Sequence, residues 1–169
     1  MDAFTKIVQR YQRPIIGFCY QMTGSQPDAE DAAQETFVRL YKALHRLRPE
    51  KPFSTVLFSI ARNSTLNHIR SRNRHQKRIT AFKQEQNAPD TSQPDKRAQA
   101  GDIARALEKA LETLPLEYKE ALILREYQGF DYQHIANILA CPVGTVRSRL
   151  ARAREQLRSQ LLAYGDNAL

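Results

Sequence analysis

Residues 84–101, QEQNAPDTSQPDKRAQAG, decide how the rest of the chain can be organised. They hold two prolines, one glycine, no aromatic residue and no large aliphatic one. Such a segment buries too little apolar surface to offset the entropy of ordering it, so it reads as a flexible linker. It divides the 169 residues into candidate domains at 1–83 and 102–169. On both sides apolar residues recur at helical spacing, and no stretch alternates with period two for long enough to suggest a sheet. The expected fold is therefore all-α: two small helical domains joined by a linker.

In the first half, Phe4, Ile7, Val8, Tyr11, Ile15, Phe18 and Met22 predict a helix over about 4–22, stopped by Thr23-Gly24-Ser25. Ala33, Phe37, Leu40 and Leu44 form one stripe of a second helix opening near Asp28, with Asp28, Glu30 and Asp31 expected in its first turn, where carboxylates suit the helix dipole. The two should lie as antiparallel neighbours. A third helix is expected over 54–74, after the proline-bearing turn RLRPEKP. Its start, STVLFSIA, is mostly apolar, whereas RNSTLNHIRSRNRHQKR is polar and basic, so one end is anchored and the other projects charge.

Beyond the linker, Ile103, Leu107, Leu111 and Leu114 form a stripe ended by Pro115, and a helix over 118–127 is stopped by Gly129. The segment FDYQHIANILACPVGTVRSRLARAREQL then has the spacing of a helix-turn-helix. A short helix over 132–139 turns Ile135, Ala136 and Leu139 inward. After Ala140-Cys141-Pro142, a helix over 143–162 does the same with Val146, Leu150, Ala153 and Leu157. Gly144, Ser148, Ala151, Arg152 and Glu155 fall on its opposite face, flanked by Arg147 and Arg149. Arginine grips guanine edges or phosphates, serine and threonine contact either, and Gly144 lets the backbone approach, which is what a major groove asks of a helix face.

A net charge of +8 supports a polyanionic partner, either nucleic acid or an anionic membrane. The chain lacks any run of about 18 apolar residues and any basic-then-apolar leader, so it is expected to be cytoplasmic, with no direct membrane insertion. Cys19 and Cys141 lie far apart in apolar settings and read as two buried reduced thiols. Together with His45, His68, His75 and His134 they offer no metal-ligand spacing, and no metal or cofactor is expected. Paired carboxylates at a metal site, a phosphate-cradling glycine loop and an activated nucleophile are likewise missing, so no enzymatic role is expected.

The run LPLEYKEALILREYQGFDYQHIANILACPVGTVRSRLARARE resembles the fourth-region domain of extracytoplasmic-function sigma factors of the sigma-70 family, and CPVGTVRSRL is highly specific to it. DAEDAAQETFVRLYKAL resembles the family's polymerase-binding helix, and PFSTVLFSIARNSTLNHIRSRNR its strand-opening helix. The resemblance implies a region 2 bundle of three to four helices, a region 4 helix-turn-helix and no region 3 between them. It implies a sigma factor responsive to stress or another signal, with core RNA polymerase (the beta-prime clamp helices and the beta subunit), promoter DNA and an anti-sigma factor as partners.

Asp31, Gln34 and Glu35 match the family's D-x-x-Q-E grip on the clamp helices. Asn63 matches the position that reads a base flipped from the non-template strand of the minus-ten element, in a pocket completed by the loop over 46–53. Arg62, Arg70, Arg72 and Arg74 would hold nearby DNA by charge, with His68 a further contact. Arg125, Gly144, Thr145, Arg147, Ser148 and Arg152 match positions used at the minus-thirty-five element. Val56 stands where the family often has Trp, Asn67 where it often has an acid, and Ala151 where some relatives have an aromatic. The competing reading is a helix-turn-helix regulator that never becomes a polymerase subunit; against it stands the acidic helix near Asp28, for which such a regulator has no evident use.

Overall fold

The computed structural model describes residues 2–47, 50–84 and 102–166, and among them it holds helices and no strand. The first half is α1 (Ala3–Thr23), α2 (Gln26–Ala43) and α3 (Phe53–Gln84), with a short 3-10 turn at Leu44–Arg46. The second is α4 (Asp102–Thr113), α5 (Leu116–Leu122) running into a π-turn at Ile123–Tyr127, α6 (Tyr132–Leu139) and α7 (Val143–Asp166). Apart from Gln84, which ends α3, the expected linker lies outside the described residues.

The first three helices close over a core of Ile15, Phe18, Cys19 and Met22 from α1, Ala29, Ala32, Ala33 and Leu40 from α2, and Leu57, Phe58 and Ala61 from α3. The small residues of α2 let the backbones approach closely. Gly24 stops α1 in the left-handed region (φ 66°), its N–H donating to the Tyr20 carbonyl at 2.8 Å. Ser25 then caps α2, accepting from the Asp28 N–H at 3.4 Å. Because α2 begins at Gln26, two residues before the predicted start, only Asp28 falls in its first turn; Glu30 and Asp31 lie further along. The third helix runs well past Arg74, since QKRITAFKQ contains no proline or glycine to end it.

In the second half, the helix predicted over 118–127 starts at Leu116 and loosens at Ile123, whose carbonyl accepts from Gln128 N–H at 3.2 Å. Asp131 caps α6 through Oδ1, accepting from His134 N–H at 2.8 Å. Ile135, Ala136 and Leu139 of α6 are buried with Val146, Leu150 and Ala153 of α7, as the periodicity predicts, and Ile138, which was not read as inward, is buried with them. Cys19 is buried, but Cys141 is only partly so, because it stands in the turn between those helices.

The two halves do more than hang on a tether. Phe58 of α3 meets Phe130, which precedes α6, edge to face at 5.0 Å, and the apolar core continues from one half to the other.

Candidate nucleic-acid interface

Burial of Val146, Leu150 and Ala153 fixes the rotation of α7 and therefore what its outer face presents. Gly144, Arg147, Ser148 and Arg152 are exposed and Thr145 is half-buried. A β-carbon at Gly144 would meet nothing within 4 Å, so this glycine is an open approach for a ligand rather than a packing requirement. Ser148 Oγ donates to the Thr145 carbonyl at 3.0 Å, and Arg152 lies 3.5 Å from Glu155, an exposed pair that an incoming phosphate can displace. Arg125 stands apart from this face. Its guanidinium donates to the Phe130 carbonyl at 2.9 Å and lies over the Tyr132 ring, bracing the start of the motif. Arg149, expected on the flank of the reading face, instead turns inward to Glu117 and Glu120.

Along α3 the basic residues divide into paired and unpaired. Arg70 and Arg74 are exposed on the projecting part of the helix, which also carries Lys77 and Arg78. Arg72 is committed within the first half, to the Thr23 carbonyl and Asp28, both at 3.1 Å. His68 Nε2 lies 3.1 Å from Glu35. Arg62 is held across the two halves by Glu120.

Asn63 is exposed on α3, one turn beyond Ser59. Ser59 lines a cavity of about 630 Å³ with Arg46, Leu47, Thr55, Val56 and, from α6, Asn137. Part of the loop expected to complete a base pocket, residues 48 and 49, lies outside the described residues. Thr55 is 2% exposed, and its hydroxyl has no hydrogen-bond partner, the kind of buried polar atom that calls for a ligand or a water.

On α2, Asp31 and Gln34 are exposed and Glu35 is half-buried, tied to Arg39 and His68. Beside Gln34, Val38 (47% exposed) and Tyr41 (62%) open an apolar groove of about 610 Å³ between α1 and α2. The apolar groove alongside the acidic pattern of α2 was not read from sequence; the sign was Val38 and Tyr41 falling off the core stripe. Nor were Glu120 and Arg149, which the periodicity of their helices treats as ordinary charged positions. Among the described residues, no group of three or more His, Cys, Asp or Glu could hold a metal ion, and no helix is long and apolar enough to cross a membrane.

Comparison with known proteins is consistent along the chain. Residues 7–75 match the family model of sigma-70 region 2, and residues 104–157 that of sigma-70 region 4. The chain is 35% identical to the RNA polymerase sigma-H factor of Pseudomonas aeruginosa, over 94% of this chain and 86% of that one. It is 33% identical to the ECF RNA polymerase sigma-E factor of Haemophilus influenzae, over 94% and 87%. The fold is similar to that of the sigma factor RpoE of Bartonella quintana, solved with the anti-sigma factor NepR, with a TM-score of 0.74, 24% identity and coverage of 95% of this chain and 98% of that one.

Proposed function

Because the chain belongs to the sigma-70 family, as a sigma factor of the extracytoplasmic-function type, we propose a division of labour among its surfaces residue by residue. As a sigma factor it binds core RNA polymerase and directs promoter-specific initiation. Asp31, Gln34 and Glu35, with the neighbouring groove at Val38 and Tyr41, take the beta-prime clamp helices: carboxylates and an amide set polarity while the apolar groove supplies buried area. Asn63 and the exposed arginines of α3 take the minus-ten element, the non-template strand entering the cavity lined by Thr55 and Ser59. Extruding a base costs a few kcal/mol of stacking and pairing, and the unpartnered Thr55 hydroxyl offers compensation there. Gly144, Thr145, Arg147, Ser148 and Arg152 take the minus-thirty-five element, while Arg125 contributes by holding the motif's entry. The segment over 84–101 joins the two reading units. An anti-sigma factor that covers these same surfaces until stress or another signal releases them completes the scheme.

The single observation that carries this reading is the rotation of α7, which buries Val146, Leu150 and Ala153 and leaves Arg147, Ser148 and Arg152 outward beside a glycine with free space above it. Two variants test it. Asn63→Ala is expected to reduce open-complex formation about fivefold to hundredfold with little change in duplex binding, in line with a lost base contact of about 1–3 kcal/mol. The double change Arg147→Ala with Ser148→Ala is expected to alter minus-thirty-five preference and leave minus-ten opening intact. Normal opening by the first variant, or an unchanged minus-thirty-five footprint with the second, removes those residues from the assignment.

A further inference from the structure

Between Leu66 and Thr80 no side chain of α3 is buried, yet this stretch carries Arg70 and Arg74. Ile69, His68 and Arg72 hold it to the helices beneath. Ile69 packs against the apolar core, and His68 Nε2 lies 3.1 Å from Oε2 of Glu35. One Arg72 nitrogen, Nη1, donates both to the Thr23 carbonyl and to Oδ2 of Asp28, each at 3.1 Å. Arg72 therefore closes on the end of α1 and the first turn of α2 together. The acids of this seam come from α2, since α3 carries none. His68 and Arg72 share a face because they are four residues apart. At about 3.6 residues per turn, Arg70 lies roughly 180° round the helix from the middle of that pair, Asn63 roughly 160° and Arg74 roughly 140°. One face of α3 is thus turned to α2, and the opposite face presents Asn63, Arg70 and Arg74 to solvent.

We infer that Arg72 is a positioning residue for strand opening and not a DNA contact: it holds the projecting part of α3 against the connection between α1 and α2, and so aims Arg70 and Arg74 at the strand that enters beside Asn63. This rests on the promoter-binding reading given above. Electrostatics favours the arrangement. An Arg72 guanidinium turned to a phosphate would leave Asp28 unpaired beside the DNA, whereas one that stays on Asp28 cancels a charge that would repel the strand. The pair is partly solvated, with 49% of the Arg72 side chain and 31% of that of Asp28 exposed, so it adds little to the stability of the fold and acts on orientation instead. Asp28 also lies in the first turn of α2, the helix that carries Asp31, Gln34 and Glu35. The same contact therefore fixes the angle between the helix that docks on polymerase and the helix that opens DNA.

Holoenzyme assembled from the full chain and core polymerase, on a promoter selected with that holoenzyme, provides the test. Closed-complex affinity and the rate constant of opening at saturating promoter are measured separately, the first as a function of salt. Arg72→Gln and Asp28→Asn are each expected to slow opening about threefold to tenfold while leaving the salt slope of binding unchanged and Tm within about 4 °C. The double variant should open no more slowly than either single one, because both changes remove the same contact. The sign for Asp28→Asn is diagnostic: loss of a negative charge beside DNA would by itself favour the complex, so slower opening reports position. Arg70→Gln, on the outward face, should lower the slope by about 1. A slope lowered by about 1 in Arg72→Gln, or opening by Asp28→Asn at or above the wild-type rate, overturns the inference and leaves the promoter reading standing. Opening, core binding and Tm that fall together in Arg72→Gln also overturn it, since a merely structural contact behaves that way. An unchanged slope in Arg70→Gln overturns the promoter reading of α3, and the inference falls with it.

Discussion

Ala140 holds φ at 52° in the turn between α6 and α7, a conformation in which its β-carbon crowds the following carbonyl oxygen. The residue is exposed, so nothing in its packing demands a methyl group there. Ala140→Gly should raise stability by about 0.5–1 kcal/mol, the relief of strain exceeding the entropy added to the unfolded chain, and differential scanning calorimetry should show a higher Tm. Lys119 presents the opposite situation, a charge held where burial pushes its pKa below the ordinary lysine value, with Glu112 opposing that shift and Arg72 adding to it. Its folded pKa lies below its unfolded one, so the unfolded state binds more protons between the two values and stability should rise with pH through that alkaline window. At lower pH the burial penalty is full and constant. Urea midpoints measured from neutral to alkaline pH should show this rise, and Lys119→Met should flatten it. Neither site was visible in the sequence: Ala140 reads as one residue of a turn, and Lys119 as a solvated charge until its contact with the Met22 carbonyl is known.

At the level of helices, periodicity predicted most of what is seen. Val146, Leu150 and Ala153 are buried as the α7 stripe requires, and α6 spans the expected residues. Ends were less legible. The third helix continues to Gln84 because basic residues without proline or glycine propagate a helix that composition alone describes only as charged. The loosening of α5 at Ile123 has no marker in its apolar run. The functional prediction at this scale separates scaffold from reader. Leu150→Ala removes a side chain that is almost fully buried and should cost about 2–5 kcal/mol by chemical denaturation, with minus-thirty-five binding falling in parallel. Arg147→Ala, on the exposed face, should leave stability within about 0.5 kcal/mol while weakening the same binding.

For the whole molecule, the order of elements carries the argument: an acidic helix beside an apolar groove, a basic helix beside a cavity, and a helix-turn-helix with an exposed arginine face. That order was legible because each motif is local in sequence. The relation between the halves was not, because Arg62 and Glu120 are separated by 58 positions and no periodicity links them. The central claim is that this chain makes core RNA polymerase promoter-specific. Its most direct test is to transcribe bacterial genomic DNA in vitro with core polymerase, with and without the purified chain, and to map the 5′ ends of the transcripts. The account predicts a discrete set of start sites that appears only with the chain and shares sequence near minus ten and minus thirty-five. Start sites identical in both reactions would contradict it.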